Sequence, residues 1–284
     1  MPTIESLLNE ADLPDSPSAR LDAQWLLAEV LGKPVSYLRT WPEREVEPPQ
    51  VERYASFLVR RRQGEPVAYI LGRQGFWSLD LEVAPHTLIP RPDTELLVET
   101  ALQTLPAGPQ QLLDLGTGTG AIALALACER PAWQVLGVDR VEEAVALALR
   151  NRQRLHMSNA DFRLSHWFDA LGGQRFHMIL SNPPYIRADD QHLQQGDVRF
   201  EPASALISGA DGLDDIRHIV TTAPGHLLAG GWLLLEHGYD QAAAVRGLLL
   251  ERGFVQVASL CDLAGHERVS LGCWPCVAEA DNAG

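Results

Sequence analysis

From position 111 onward, short strand-like runs alternate with stretches of helical periodicity. The runs fall at 111–115, 134–138, 162–165, 177–181, 231–236, 255–260 and 267–272. Runs this short read as buried strands, and helical patterns such as 141–155 and 241–252 lie between most of them. That rhythm predicts an α/β fold with a mainly parallel sheet, helices on both faces, and a final antiparallel pair.

Residues 1–72 read as helices only, forming a small helical bundle. Ser18 is placed to cap a helix that turns Ala23, Leu27, Val30 and Leu31 inward, with Leu21 and Trp25 broadening that face. Pro48-Pro49 precedes a second amphipathic stretch with Val51, Tyr54, Leu58 and Val59 inward. Its Arg60-Arg61-Arg62 end reads as a solvated cap complementing the helix dipole. In residues 73–95, Phe76 to Val83 alternate and Pro85, Pro90 and Pro92 forbid a helix. A hairpin and extended linker are expected there, ahead of a sheet domain over 96–284.

Charge changes the picture next. The chain of 284 residues carries 23 Lys and Arg against 37 Asp and Glu, a net charge of −14. That balance argues against holding duplex nucleic acid through an overall positive field. The first residues carry Glu5, Glu10 and Asp12 with no basic segment, which does not fit a signal peptide. The longest apolar run, 121–128, is far short of the roughly 20 residues of a spanning helix. Four cysteines imply no disulfide framework, and the Cys273-Trp274-Pro275-Cys276 pair reads as incidental thiols. A cytoplasmic protein with no membrane or metal partner is expected.

Two motifs carry chemistry. In the first, the strand ending at Leu115 runs into Gly116-Thr117-Gly118-Thr119-Gly120, and a helix starts near Ala121. Glycines permit the turn and let a ligand approach the backbone amides. Asp139 ends the next strand, 23 residues beyond Gly116, where a carboxylate can accept from both ribose hydroxyls of an adenine nucleoside. This motif alone fits either a dinucleotide or another adenosine-type cofactor. The second motif, Asn182-Pro183-Pro184-Tyr185, follows the fourth strand at the carboxyl edge of the sheet. The prolines offer no N–H donors, so the Asn182 side-chain oxygen and the Pro183 carbonyl can both accept from one –NH2 group. Tyr185 offers a planar face for an amide or a base. Hydride chemistry needs no such pocket.

Together these residues resemble the class I S-adenosylmethionine-dependent methyltransferases that act on planar NH2 groups. Further stretches are similar to the protein-(glutamine-N5) methyltransferases of peptide chain release factors. These are Ile89-Pro90-Arg91-Pro92-Asp93-Thr94-Glu95, Glu201-Pro202 ahead of Ala205-Leu206, Gly209 with Asp211-Gly212-Leu213, and Leu235-Glu236-His237-Gly238. The resemblance spans nearly the whole chain. It implies a seven-stranded, mostly parallel Rossmann-like sheet and a helical N-terminal domain that recognises the substrate protein. It implies S-adenosylmethionine as cofactor, leaving as S-adenosylhomocysteine, and a release-factor glutamine as methyl acceptor. Gly116 to Gly120 would surround the methionine end of the cofactor, Asp139 its ribose and Trp167 its adenine. Asn182, Pro183, Pro184 and Tyr185 would hold the glutamine, with Asn182 also touching the cofactor. Many relatives have Asp where this chain has His166, so the adenine amino partner, His166 or Asp169, stays open. Arg91, Asp93 and Glu95 read equally as a polar helix cap or as a cover over the cofactor. A monomer without direct nucleic-acid contact is expected. A DNA adenine-N6 or cytosine-N4 methyltransferase is the alternative, since Asn-Pro-Pro-Tyr is shared with those enzymes.

Overall fold

The periodicity of the N-terminal part resolves into α1 (Ile4–Asn9), α2 (Ala19–Leu31), α3 (Val35–Thr40), α4 (Pro48–Arg62) and α5 (Val67–Leu71) in a computed structural model that describes residues 1–276. These helices bury Leu26, Leu27, Leu38, Tyr54 and Ile70 in one core. Met1–Arg73 form a compact unit together with Gln191–Phe200, a segment remote in sequence.

Four expectations about this unit need correction. Leu21 and Trp25 are 48% and 50% exposed, because they lie two positions, about 200° of helix, from the buried Ala23 and Leu27. Val59 is 49% exposed, and Arg61 takes its place on the buried face with Tyr54 and Leu58. The arginine triplet is therefore not a uniformly solvated cap. The Arg61 side chain is only 8% exposed, with Nε 2.7 Å from Asp22 Oδ2 and Nη1 2.9 Å from Asp197 Oδ1. Ser18 does sit at the N-cap of α2, but its hydroxyl donates to Asp22 Oδ1 at 2.8 Å instead of accepting a helix amide.

The second compact unit takes Gln74–Asp190 and the chain from Glu201 onward. A two-stranded hairpin, β1 (Arg73–Phe76) and β2 (Leu79–Glu82), turns at Trp77, whose φ is +55°. Most of the hairpin groups with this unit. The fold then runs through α6 (Glu95–Thr104), β3 (Gln110–Leu115), α7 (Ala121–Glu129), β4 (Trp133–Asp139), α8 (Glu142–Arg154), β5 (Ala160–Leu164) and β6 (Phe176–Ser181). It continues with α9 (Asp214–Thr222), β7 (Leu227–Glu236), α10 (Ala242–Arg252), β8 (Val255–Cys261) and β9 (Glu267–Cys273). The seven-stranded sheet has the order β5-β4-β3-β6-β7-β9-β8. It is parallel from β5 to β7, while β9 pairs antiparallel with both β7 and β8.

The central strands are legible as apolar runs because both sheet faces are covered there. One face packs Leu112, Val135, Met178 and Leu180 among helical side chains, and the other packs Leu113, Leu115, Ile179 and Leu233. Helix α7 is apolar and buried on every side from Ala121 to Ala127, as expected of a helix enclosed by protein. β3 and β6 are neighbours at the centre, and their successors diverge to opposite edges. Their adjacent carboxyl ends form the crevice where open α/β sheets bind ligands. Among the described residues, no helix is long and apolar enough to cross a membrane.

Candidate active site

The glycine loop between β3 and α7 is built by backbone hydrogen bonds to β4. The amides of Gly116 and Thr117 both donate to the Val138 carbonyl at 2.9 Å. Gly116, Gly118 and Gly120 all have positive φ. Gly120 is the most constrained, since a Cβ there would lie 2.9 Å from Phe162 Cζ and 3.2 Å from Ala148 Cβ. Below the loop, Asp114 is fully buried and accepts from the Thr117 hydroxyl at 2.5 Å. Burial pushes its carboxyl up to about 7.

Asp139 ends β4 and closes this loop. Its Oδ2 accepts from Gly118 N and its Oδ1 from Val141 N, both at 2.9 Å. Burial raises its pKa, and those two amides act in the opposite direction. A carboxylate has about four lone-pair positions, so these amides leave room for a hydroxyl donor. Trp167 follows β5 with φ +47°, and its ring edge lies 3.5 Å from where a Gly116 Cβ would stand.

A cavity opens over these residues. Gly116, Thr117, Gly118, Thr119, Asp139, His166, Trp167, Asn182 and Pro184 line it, whereas Gly120, Asp169, Pro183 and Tyr185 do not. Arg91 and Thr94 line it from the segment before α6, and Ser204 and Ala205 from the segment after Glu201-Pro202. The Arg91-Pro92-Asp93-Thr94-Glu95 stretch thus divides. Arg91 faces the cavity and pairs with Glu201 at 2.5 Å, while Glu201 also accepts from Ile89 N at 2.9 Å. Asp93 instead pairs with Arg268 at 3.5 Å, and Glu95 accepts from Trp77 N at 2.7 Å.

At the carboxyl end of β6, the Ser181 hydroxyl donates to the Leu115 carbonyl at 2.8 Å, locking the two central strand ends together. Asn182 Nδ2 donates to Thr94 Oγ1 at 3.1 Å. The Tyr185 hydroxyl donates to Glu236 Oε1 at 3.3 Å, and its carbonyl accepts from Gln241 Nε2 at 3.0 Å. Gly212, with φ +79°, belongs to this packing: a Cβ there would stand 2.3 Å from the Tyr185 carbonyl oxygen. Sequence reasoning left Thr94, Glu236 and Gln241 without roles. The only signal for Thr94 and Glu236 was their place in the Asp93-Thr94-Glu95 and Leu235-Glu236-His237-Gly238 stretches, and Gln241, outside both, had none. His237 itself is fully buried between the Gly238 carbonyl (2.9 Å) and the Ser270 hydroxyl (2.8 Å), and burial lowers its pKa.

The glycine loop, the carboxylate at the end of β4 and the Asn-Pro-Pro-Tyr edge lie around the crevice of one such sheet, and together they define a methyltransferase. Known proteins narrow the class. Residues 3–72 match the family model described as PrmC N-terminal domain, and residues 92–211 match the Methyltransferase small domain. A release factor glutamine methyltransferase of Pseudomonas aeruginosa is 69% identical over 276 residues, covering 97% of this chain and 100% of that protein. The Escherichia coli protein of the same name is 50% identical over 262 residues, covering 92% and 95%. A methyltransferase structure from Pyrococcus furiosus shares the fold, with a TM-score of 0.55 at 18% identity over 78% of this chain and 99% of that one. The chain belongs to the release factor glutamine methyltransferase family. Nothing in these matches favours the DNA methyltransferase alternative.

Proposed function

We propose that the protein transfers a methyl group from S-adenosylmethionine to the side-chain amide nitrogen of the glutamine in the Gly-Gly-Gln motif of peptide chain release factors. The observation that carries this reading is that one cavity is lined both by the glycine loop with Asp139 and Trp167 and by Asn182 and Pro184. A nucleoside cofactor and a planar amide would therefore meet there. The residues present fit the cofactor: Gly116 turns with positive φ beside the Trp167 ring, and Asp139 keeps lone pairs for a ribose diol. Bound there, S-adenosylmethionine supplies an electrophilic methyl group on a sulfonium sulfur.

The protein's own contribution is orientation and charge stabilisation. An amide nitrogen is a poor nucleophile because its lone pair is delocalised into the carbonyl. The Asn182 side-chain oxygen and the Pro183 carbonyl accept its two N–H groups and aim the lone pair, which is worth up to roughly 7–11 kcal/mol in ideal cases. Both hydrogen bonds strengthen as positive charge develops on nitrogen, so they favour the transition state over the ground state. The proton leaves to water after attack. The helical unit, 1–72 in the sequence reading, would hold a surface of the release factor remote from the glutamine, while the 96–284 part performs the transfer.

The test is transfer of labelled methyl groups to purified release factor. Labelling should be abolished when the Gly-Gly-Gln glutamine is replaced, and duplex DNA should stay unlabelled. Equal labelling of the glutamine-substituted factor would reject the reading.

Asp139→Ala should weaken S-adenosylmethionine binding by roughly 1.5–3 kcal/mol, the range for hydrogen bonds to a charged group. Asp139→Asn should fall between, because an amide can still accept at one of the two positions. Calorimetry on folded protein reads both, and unchanged affinity in Asp139→Ala would remove this residue from the cofactor site.

A further inference from the structure

We infer that Thr94 and Glu236 are positioning residues that decide which end of the Asn182 amide faces the acceptor, an inference that rests on the functional reading above. Asn182 has a donor end and an acceptor end, and only the oxygen can hold a substrate NH2 group. Its Nδ2 is taken by Thr94 Oγ1 at 3.1 Å. Among the described residues, no hydrogen bond engages its Oδ1.

What fixes this orientation is the next link. The Thr94 hydroxyl has one proton and acts on the Glu236 carboxylate, whose Oε2 is buried without a hydrogen-bond partner of its own among the described residues, and both side chains are buried. An ionised carboxylate only accepts, so the Thr94 proton points to Glu236 and its lone pairs are left for Asn182 Nδ2. Reversing the chain would turn the Asn182 NH2 toward the substrate NH2, donor against donor. Glu236 also accepts from Tyr185, so one carboxylate orders two residues of the Asn-Pro-Pro-Tyr motif.

The relay has a pH signature. Burial pushes the Glu236 carboxyl up to about 7, opposed by the Thr94 and Tyr185 hydrogen bonds and the Arg268 charge, while Asp93 adds to the rise. Arg268 is itself held by Asp93 and Asp262. Neutral Glu236 can donate to Thr94, which frees the Thr94 proton for Asn182 and inverts the amide. The working orientation is therefore favoured above about pH 7 and lost below it.

The experiment measures release-factor methylation and S-adenosylmethionine affinity in full-length variants. Thr94→Val should lower kcat about tenfold, the scale of one hydrogen bond, with cofactor affinity near wild type. Thr94→Ser keeps the hydroxyl and should recover most of the rate. In an Asn182→Ala background Thr94→Val should cost almost nothing more, a non-additivity that general destabilisation would not produce. The rising limb of kcat near pH 7 should flatten in Glu236→Gln. Full activity in Thr94→Val, additive losses in the cycle, or a pH limb unchanged in Glu236→Gln overturns the relay. If the wild-type protein labels no release factor, the functional reading fails, and that result is distinct from either.

Discussion

Asn182→Ala should lower methyl transfer to release factor by about 10²-fold or more while keeping most of the affinity for S-adenosylmethionine. The scale is that of removing one preorganised polar partner from a reacting centre. The separation of the two effects follows from where the residues lie. The proposed cofactor contacts come from the loop after β3, from Asp139 at the end of β4, and from Trp167 after β5. Asn182 comes from the end of β6, and its side chain is tied to Thr94 instead of to that loop. Truncation should thus remove an interaction that grows as charge develops on the acceptor nitrogen, lowering kcat and kcat/KM together. Single-turnover transfer of label and calorimetric titration of the same preparation would read the two quantities. Turnover near wild type would reject Asn182 as the holder of the acceptor amide.

The parts of this site that are visible in the sequence are those set by backbone demands. Gly116, Gly118 and Gly120 must turn with positive φ, and Asn182 to Tyr185 sit directly after an apolar run, so both can be placed from local pattern alone. The central strands β3, β4, β6 and β7 are equally legible, since burial on both faces gives each a continuous apolar stretch, whereas β5 and β8 keep exposed positions. What escapes is pairing across distance. Thr94 and Asn182 are 88 residues apart, and Tyr185 and Glu236 are 51 apart. Neither pair has a periodicity that announces it. The same holds for Asp22 and Arg61. A helical wheel penalises both as polar residues on an apolar face, and so it turns Leu21 and Val59 the wrong way. The grouping of Gln191–Phe200 with the N-terminal helices had no sequence signal at all, because its contacts, among them Asp197 with an arginine 136 residues earlier, join positions remote in the chain.

That arginine carries the largest expected effect on stability. Arg61 lies between Asp22 and Asp197, and its Nη1 also donates to the carbonyls of Gly64 (3.3 Å) and Glu65 (3.1 Å). Asp22 is buried and is further held by the hydroxyls of Ser16 and Ser18. The pair itself is no proof of net stabilisation, because both charges were stripped of water to form it. Breaking it is another matter. Arg61→Met leaves Asp22 buried without a cation and frees Asp197, so the helical unit should lose about 3–5 kcal/mol. Hydrogen exchange of the α2 and α4 amides in the full chain reads this locally, without assuming that both units unfold together. Adding Asp22→Asn to Arg61→Met should restore part of the loss, since no buried charge then lacks a partner. Cofactor affinity gives an internal control, because neither residue belongs to the unit that holds the cavity. If protection of α2 and α4 falls by less than about 1 kcal/mol in Arg61→Met, well under the 3–5 kcal/mol of a broken buried pair, the ion pair contributes no more than a surface one.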